Sequence, residues 1–299
     1  STPYAILDNQ DRVIAVLVGC PVEDDKRPPQ QRWHATTQRV AELLESVRKR
    51  PAFARDAPHR RGSYVAVNAG ISYGGGQKAP GTLKHTAAKR AAILDLNNDP
   101  DVRRIAHFTS DAMASYFPKA YAHTHESLQA LAGSQPDVNR NFSRSVYPTL
   151  CYNMGPSTVA LDHNDCNNSP DVPCSVTALG NFDPDKGGEL YLWELRLIIR
   201  FPPGSSILIP SASLRHGNLP IQDGERRYSI TQYCPGGLLR WVQHGFRPAH
   251  TLSTKDRQDL EGGMEERCRT VLGRLSTYGS LQGDRAWLLR QEASWGVIT

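Results

Sequence analysis

Two imidazoles and a carboxylate stand where short strands can bring them together: His163-Asn164-Asp165, and His216 further along the chain. Positions i and i+2 of a strand point to one face, so a strand here aims His163 and Asp165 into the same interior. A histidine from a later strand completes the set. Two neutral nitrogens and one carboxylate, arranged facially with the other positions open, suit a non-haem Fe(II) that binds both substrate and O2. His-x-Asp by itself is a weak motif in a chain with ten histidines. The pattern His-x10-Arg-x-Ser, formed by His216, Arg227 and Ser229, sharpens it. Arg227 and Ser229 share a strand face, and a guanidinium fork beside a hydroxyl can hold a carboxylate through charge-assisted hydrogen bonds. An iron site with a carboxylate clamp next to it is what an oxo-acid co-substrate requires. The same parity turns Arg226, Arg215 and Cys166 away from that interior.

These residues need a β scaffold, and the chain supplies one between positions 146 and 241. Eight strand candidates (149–153, 159–163, 174–179, 189–193, 197–201, 206–209, 213–217 and 227–234) are separated by Gly, Pro, Asn and Asp. Such regular short strands argue for a barrel or jelly roll. Upstream, 4–7 and 13–18 read as a hairpin, 30–50 as a helix, 63–67 as a strand, and 83–134 as helices broken near 97–100. The glycine-rich stretch 70–81 fits neither phosphate-binding loop pattern and reads as a loop allowing close backbone approach. His123 and His125, two apart on a helix, do not share a face and read as surface histidines. A polar helical extension is expected over 255–281. The organisation is therefore a hairpin and helical support region (1–145), a β core (146–241) and a C-terminal helical extension (242–299), forming one unit.

Composition bounds the partners. In 299 residues, 39% are hydrophobic and 22% charged, which excludes disordered and low-complexity classes. The longest apolar runs, such as 13–18 and 195–199, have strand length, so no membrane span is expected. A net charge of +5 permits an anionic partner without demanding one. The basic cluster Arg48, Lys49, Arg50, Arg55, Arg60 and Arg61 reads first as a solvated helix end and loop, and second as a phosphate-binding patch. Six cysteines without a CxxC pair read as reduced thiols, and the first residues lack the features of a signal peptide. Nucleus or cytoplasm is the expected compartment.

Residues 147–241 resemble the double-stranded β-helix core of the Fe(II)/2-oxoglutarate-dependent dioxygenases. The resemblance rests on His163, Asp165 and His216, on Arg227-x-Ser229, and on the segment running from Gly187-Gly188-Glu189-Leu190 through Pro202-Pro203-Gly204-Ser205 to Ile209-Pro210-Ser211. Within that superfamily the chain looks most like basidiomycete sequences related to the TET/JBP oxygenases. The resemblance implies an α+β protein whose cupin-like core carries Fe(II), takes 2-oxoglutarate as co-substrate, consumes O2 and releases succinate and CO2 while oxidising a C–H bond. It implies that Arg227 and Ser229 hold the 2-oxoglutarate carboxylate, with Tyr152 or Asn153 on the first core strand adding a hydrogen bond. Asn181, Trp193 and Asn218 flank the strands near the metal and are candidates for substrate contact; the alternative for Trp193 is a place in the core, and for Asn218 the orienting of a group behind the ligands or the capping of a turn. A methylated nucleobase in DNA or RNA is the implied substrate class. The rivals are the same chemistry on a small molecule or protein side chain, and a non-catalytic binding module that keeps the β-helix.

Overall fold

Alternation of residue type along one strand sets the two faces of the molecule. In β11 (Arg226–Tyr233), Tyr228, Ile230 and Gln232 point to one side, and Arg227, Ser229 and Thr231 to the other. Tyr228 and Ile230 pack with Val40, Leu44 and Val47 of helix α1 (Trp33–Arg48), and Gln232 Nε2 donates to the Ala106 carbonyl at 3.0 Å. The opposite set faces the interior of the β core. β11 lies between β5 (Thr149–Asn153) and β6 (Cys174–Asn181), antiparallel to both, so that Ser229 sits opposite Asn153 on one side and Ala178 on the other.

The computed structural model describes residues 2–23, 26–54 and 59–296, leaving Arg55 of the basic cluster outside. Its large sheet has the order β1-β2-β9-β6-β11-β5-β3-β4, where β1 is Tyr4–Leu7, β2 Val13–Gly19, β3 Ala66–Ser72, β4 Gly81–Thr82 and β9 Ser206–Ile209. A second sheet has the order β10-β7-β8, where β7 is Leu190–Leu192, β8 Leu197–Ile199 and β10 His216–Asn218. Leu190 and Leu192 of the small sheet pack against Ala178, Ile207 and Ile209 of the large one. The chain is an α+β protein built on a double-stranded β-helix, with β5, β6, β9 and β11 in one wall and β7, β8 and β10 in the other.

Helices cover the outer face of the large sheet. Alongside α1 run α2 (Ala87–Asn98), α3 (Pro100–Tyr116) and α4 (Pro118–Ser134). The break between α2 and α3 is chemically specified: the Asp99 carboxylate accepts from the backbone N–H groups of Asp101 and Val102, and Pro100 occupies the first helical position. Pro118, at the start of α4, breaks the run a second time, there without a side-chain cap. Among the described residues no helix is long and apolar enough to cross a membrane.

Several expectations need correction. The segment 159–163 is not a strand; only His163 bridges to His216, because the segment slips out of register with β10 beyond that pair and turns other backbone groups to remote segments. Thr158 N–H donates to Arg227 O, Leu161 N–H to Arg61 O, and Ala160 O accepts from Asn218 N–H. The β core ends at Tyr233, since Pro235 has no N–H for a ladder and Leu238 and Trp241 follow at helical spacing in α5 (Gly236–Gln243). The C-terminal helical region comprises α6 (Thr254–Glu261), α7 (Met264–Gly273) and α8 (Leu281–Ser294), with Gly262-Gly263 ending the first. Strand β3 begins three residues later than the expected 63–67 and takes in Gly70-Ile71-Ser72 of the glycine-rich stretch. His125 is buried and stacks on Trp295 with ring centroids 4.2 Å apart, so it is not a surface histidine.

Trp33 pins α1 to the β core. It is buried, meets Phe108 edge-on at 4.9 Å, and its indole N–H donates to the Gly204 carbonyl in the turn before β9 at 2.7 Å. Trp33→Ala is expected to cost about 3–5 kcal/mol in a urea titration. Trp33→Phe, which loses the hydrogen bond but keeps most of the ring, is expected to cost clearly less.

Candidate metal centre

His163 and His216 arrive on opposite partners of one antiparallel bridge, with His163 N–H donating to His216 O at 3.1 Å and the reverse bond at 3.0 Å. That pairing sets their ring centroids 4.4 Å apart. Each Nδ1 lies against a backbone carbonyl two residues earlier, His163 on Leu161 O at 2.7 Å and His216 on Leu214 O at 2.9 Å. A carbonyl can only accept, so Nδ1 carries the proton and Nε2 presents its lone pair. Asp165 follows in a turn whose backbone N–H donates to Ser211 O at 2.9 Å. Its carboxylate stands 3.8 Å from His163 Nε2 and 4.0 Å from His216 Nε2. One ligand atom from each of the three residues lies within 4.8 Å of the others, the spacing of donors around one ion. Burial, with His216 beside it, pushes the His163 imidazole down to about 4, and burial lowers His216 as well. Both are therefore neutral near pH 7, the form that ligates metals.

The same cavity contains Arg227 and Ser229. Arg227 is 2% exposed, its Nη1 donates to Thr158 O at 3.1 Å, and its buried Nε has no partner. Among the described residues no carboxylate pairs with it. Burial pushes its guanidinium down to about 10, so the charge persists at neutral pH. Asn153 Nδ2 donates to Ser229 Oγ at 2.9 Å, which leaves the serine proton free for an incoming acceptor. A buried cation short of one hydrogen-bond partner, with a hydroxyl donor on the same strand face, fits a carboxylate.

The other expected residues are divided by the fold. Tyr152 points to the helical side, where its hydroxyl donates to Asn97 Oδ1 at 2.7 Å, so only Asn153 of that pair lines the cavity. Asn218 also lines it, but its amide is taken up by backbone: Oδ1 accepts from Ala160 N–H, and Nδ2 donates to the Thr158 and Leu219 carbonyls. Asn181, at the exposed end of β6, lies in a separate pocket with Glu45 and Arg226 on the α1 side of the sheet. Trp193 is 60% exposed beyond β7, with the Arg215 guanidinium 5.2 Å from its ring, and it does not line the cavity.

Sequence reasoning did not place Arg61, Tyr64 or Thr158 in the wall of this cavity. Arg61 Nη2 donates to Asp165 Oδ1 at 2.6 Å, a contact across 104 positions that no local pattern announces. The rest of the basic cluster has structural partners at Arg48 and Lys49, both on Glu45, and at Arg50 on Asp95. Arg60 and Arg61 instead border a cleft that opens beside Asp165. Its walls also hold Arg240, the amides of Asn68, Gln77, Asn153, Asn167 and Asn168, and the rings of Tyr73 and Tyr233. Among the described residues of that cleft, Asp165 is the single carboxylate.

No protein-family model matches the chain, and no curated protein matches it in sequence. Similarity is found among solved structures. NgTET1 in complex with 5mC DNA superposes with a TM-score of 0.52 at 16% identity, over 79% of this chain and 77% of that one. A 2OG-Fe(II) oxygenase family oxidoreductase from Burkholderia pseudomallei gives 0.34 at 18% identity, over 64% of this chain and 76% of that one. A viral collagen prolyl hydroxylase from Paramecium Bursaria Chlorella virus-1 gives 0.23 at 19% identity; the match spans 29% of this chain and 57% of that protein. The first of these supports the double-stranded β-helix architecture.

The neutral histidines carry a pH signature. An unfolded chain protonates His163 and His216 below about 6.5, whereas the folded metal-free site resists it. Stability of the metal-free protein is therefore expected to fall as pH drops from about 6.5 towards about 4. Urea midpoints across that window test this, and a His163→Asn, His216→Asn double variant is expected to show a shallower decline. Equal slopes would mean the two rings titrate as free imidazoles.

Proposed function

We propose that this protein is an Fe(II)- and 2-oxoglutarate-dependent dioxygenase that oxidises a C–H bond of a methylated nucleobase in DNA or RNA. One observation carries the reading: two neutral histidines and an aspartate converge in the same cavity as a buried guanidinium that has no counter-charge. His163, Asp165 and His216 would hold the iron, and the site fits it because both Nε2 lone pairs are freed by backbone-bound Nδ1 protons. Arg227 and Ser229 would receive the distal carboxylate of 2-oxoglutarate, with Asn153 orienting the hydroxyl. When bound, iron and 2-oxoglutarate use O2 to oxidise the substrate and release succinate and CO2.

The protein's own contribution is placement. Burial of Arg227 excludes water from the clamp, so its charge acts at low effective dielectric. The cleft beside Asp165 favours a substrate that is anionic and has flat hydrogen-bonding edges. Arg60 and Arg240 supply positive charge for phosphate, the amides match the donors and acceptors of a base, and Tyr73 and Tyr233 offer stacking faces. The 5mC DNA held by NgTET1 points the same way. This reading favours the nucleus or cytoplasm, and buried thiols at Cys151, Cys174 and Cys234 accord with a reducing compartment.

Succinate release from 2-oxoglutarate under Fe(II) and O2 is the direct test, with His163→Ala, Asp165→Ala as the inactive control. Arg227→Met is expected to lower 2-oxoglutarate-dependent turnover by on the order of 100-fold or more, since truncating a buried charge partner costs 2–5 kcal/mol. Its melting temperature is expected to stay level or rise, because the substitution removes a buried charge with no partner. Full turnover in Arg227→Met would overturn the clamp. For the substrate, retention of methylated duplex DNA is expected to weaken steeply with salt, and Arg60→Ala and Arg240→Ala should each reduce the salt slope by about 1. Turnover without any salt-sensitive nucleic-acid binding would move the assignment to a small-molecule or protein substrate.

A further inference from the structure

The turn at 59–62 is more ordered than a solvated basic loop needs to be. His59 and Gly62 exchange both backbone hydrogen bonds, at 3.1 and 2.9 Å, and His59 Nδ1 accepts from the Arg61 N–H at 3.2 Å. A Cβ on Gly62 would fall 2.4 Å from the Val159 carbonyl oxygen, so only glycine lets the turn press against the segment leading to His163. Leu161 N–H then donates to the Arg61 carbonyl at 2.7 Å. A turn closed on itself and tied to that segment delivers one side chain to the metal centre: Arg61, with Nη2 on Asp165 Oδ1 at 2.6 Å.

Resting on the metal-site reading above, we infer that Arg61 is a positioning residue that fixes which carboxylate oxygen Asp165 offers to the ion. Oδ1, 3.8 Å from His163 Nε2, accepts the guanidinium hydrogen bond; Oδ2, 4.0 Å from His216 Nε2, accepts none from the described residues and is the freer oxygen to ligate. A carboxylate bound through both oxygens occupies two coordination positions, and one bound through a single oxygen occupies one. With two histidines, single-oxygen ligation leaves open the positions that a chelating co-substrate and O2 both need. The guanidinium charge opposes a dication, but the Arg61 side chain keeps 35% of its surface exposed, so water and salt screen it. Orientation of the ligand is the larger effect.

The two contributions have opposite signs, and Mn(II) binding to the full chain separates them. Arg61→Met keeps much of the length and packing but has no donor; Arg61→Gln keeps an N–H donor without the charge. Arg61→Met is expected to weaken Mn(II) by about 10–100-fold, with Arg61→Gln recovering most of the loss and circular dichroism melting showing both variants folded. Mn(II) binding in Arg61→Met at wild-type strength or tighter would overturn the inference, since that is the result if Arg61 acts only through its charge or not at all. If Arg61→Met does not fold, Arg61→Leu, which also lacks a donor, takes its place under the same outcomes: weaker Mn(II) binding that Arg61→Gln largely recovers supports orientation, and binding at wild-type strength or tighter overturns it. Failure of the wild-type chain to bind Mn(II) would overturn the metal-site reading itself, and this inference with it.

Discussion

A guanidinium sealed inside a protein without an anion is costly, and much of the site around Arg227 is arranged about that cost. Desolvating a charge takes several kcal/mol even after relaxation, yet Arg227 is 2% exposed, and among the described residues its side chain donates to the Thr158 carbonyl alone, through Nη1. The fold tolerates this because the strand that carries it is firmly held. β11 is laddered on both sides, and its outer face is locked to α1 through Tyr228, whose hydroxyl donates to Glu45 at 3.0 Å. Glu45 is in turn held well below the usual carboxylate range, at about 2, chiefly by Arg48. A strong ion-pair network behind the sheet thus anchors the strand that presents an unpaired charge in front of it. Stability is given up at one place to keep binding capacity at another.

The parts of this arrangement that were legible in the sequence are those governed by period two. The alternation Arg227, Ser229 against Tyr228, Ile230 separates polar from apolar residues along β11, and the structure places the first pair in the cavity and the second in the helical core. The strand limits 4–7, 149–153 and 206–209 coincide with β1, β5 and β9 because apolar runs meet clear turn signals there. His163 and Asp165 come together for a different reason than strand parity. One sits in a single bridge and the other in a turn, so a bend and a distant arginine do what a pleat was expected to do. What stayed hidden depends on contacts between remote segments. Nothing near Arg61 distinguishes it from Arg60, and nothing near Asn181 or Trp193 tells which side of a sheet, or which end of a hairpin, the chain will turn towards the metal.

The support region is part of the core it supports. β1, β2, β3 and β4 extend the large sheet on both edges of the β-helix strands, so half of that sheet comes from the first 82 residues. Edge strands covered by further strands present fewer unpaired backbone groups. The added strands also carry the site's outer parts: β3 leads into the Tyr73 to Gln77 loop, and the chain just before it contributes Arg61 and Tyr64. Part of the cleft's positive charge, Arg60 and Arg61, and the guanidinium that holds Asp165 therefore enter from the same short stretch of sequence, with Arg240 added from α5.

Arg227 and the His163, Asp165, His216 cluster are mechanically one piece. The Thr158 carbonyl accepts from Arg227 Nη1 at 3.1 Å and from Asn218 Nδ2 at 3.0 Å. Asn218 Oδ1 accepts from the Ala160 N–H at 2.8 Å, fixing the segment that ends in His163. Asn218 itself sits two residues beyond His216 on β10. One amide side chain therefore joins the strand of the second histidine, the segment of the first, and the acceptor of the clamp. With every polar atom of Asn218 used on backbone, the separation between Arg227 and the metal ligands is held by hydrogen bonds that a bound molecule need not form. On the reading proposed above, a clamp and a metal held at fixed separation would select a co-substrate by length, since a dicarboxylate of the right span would meet both ends without reorganising the site.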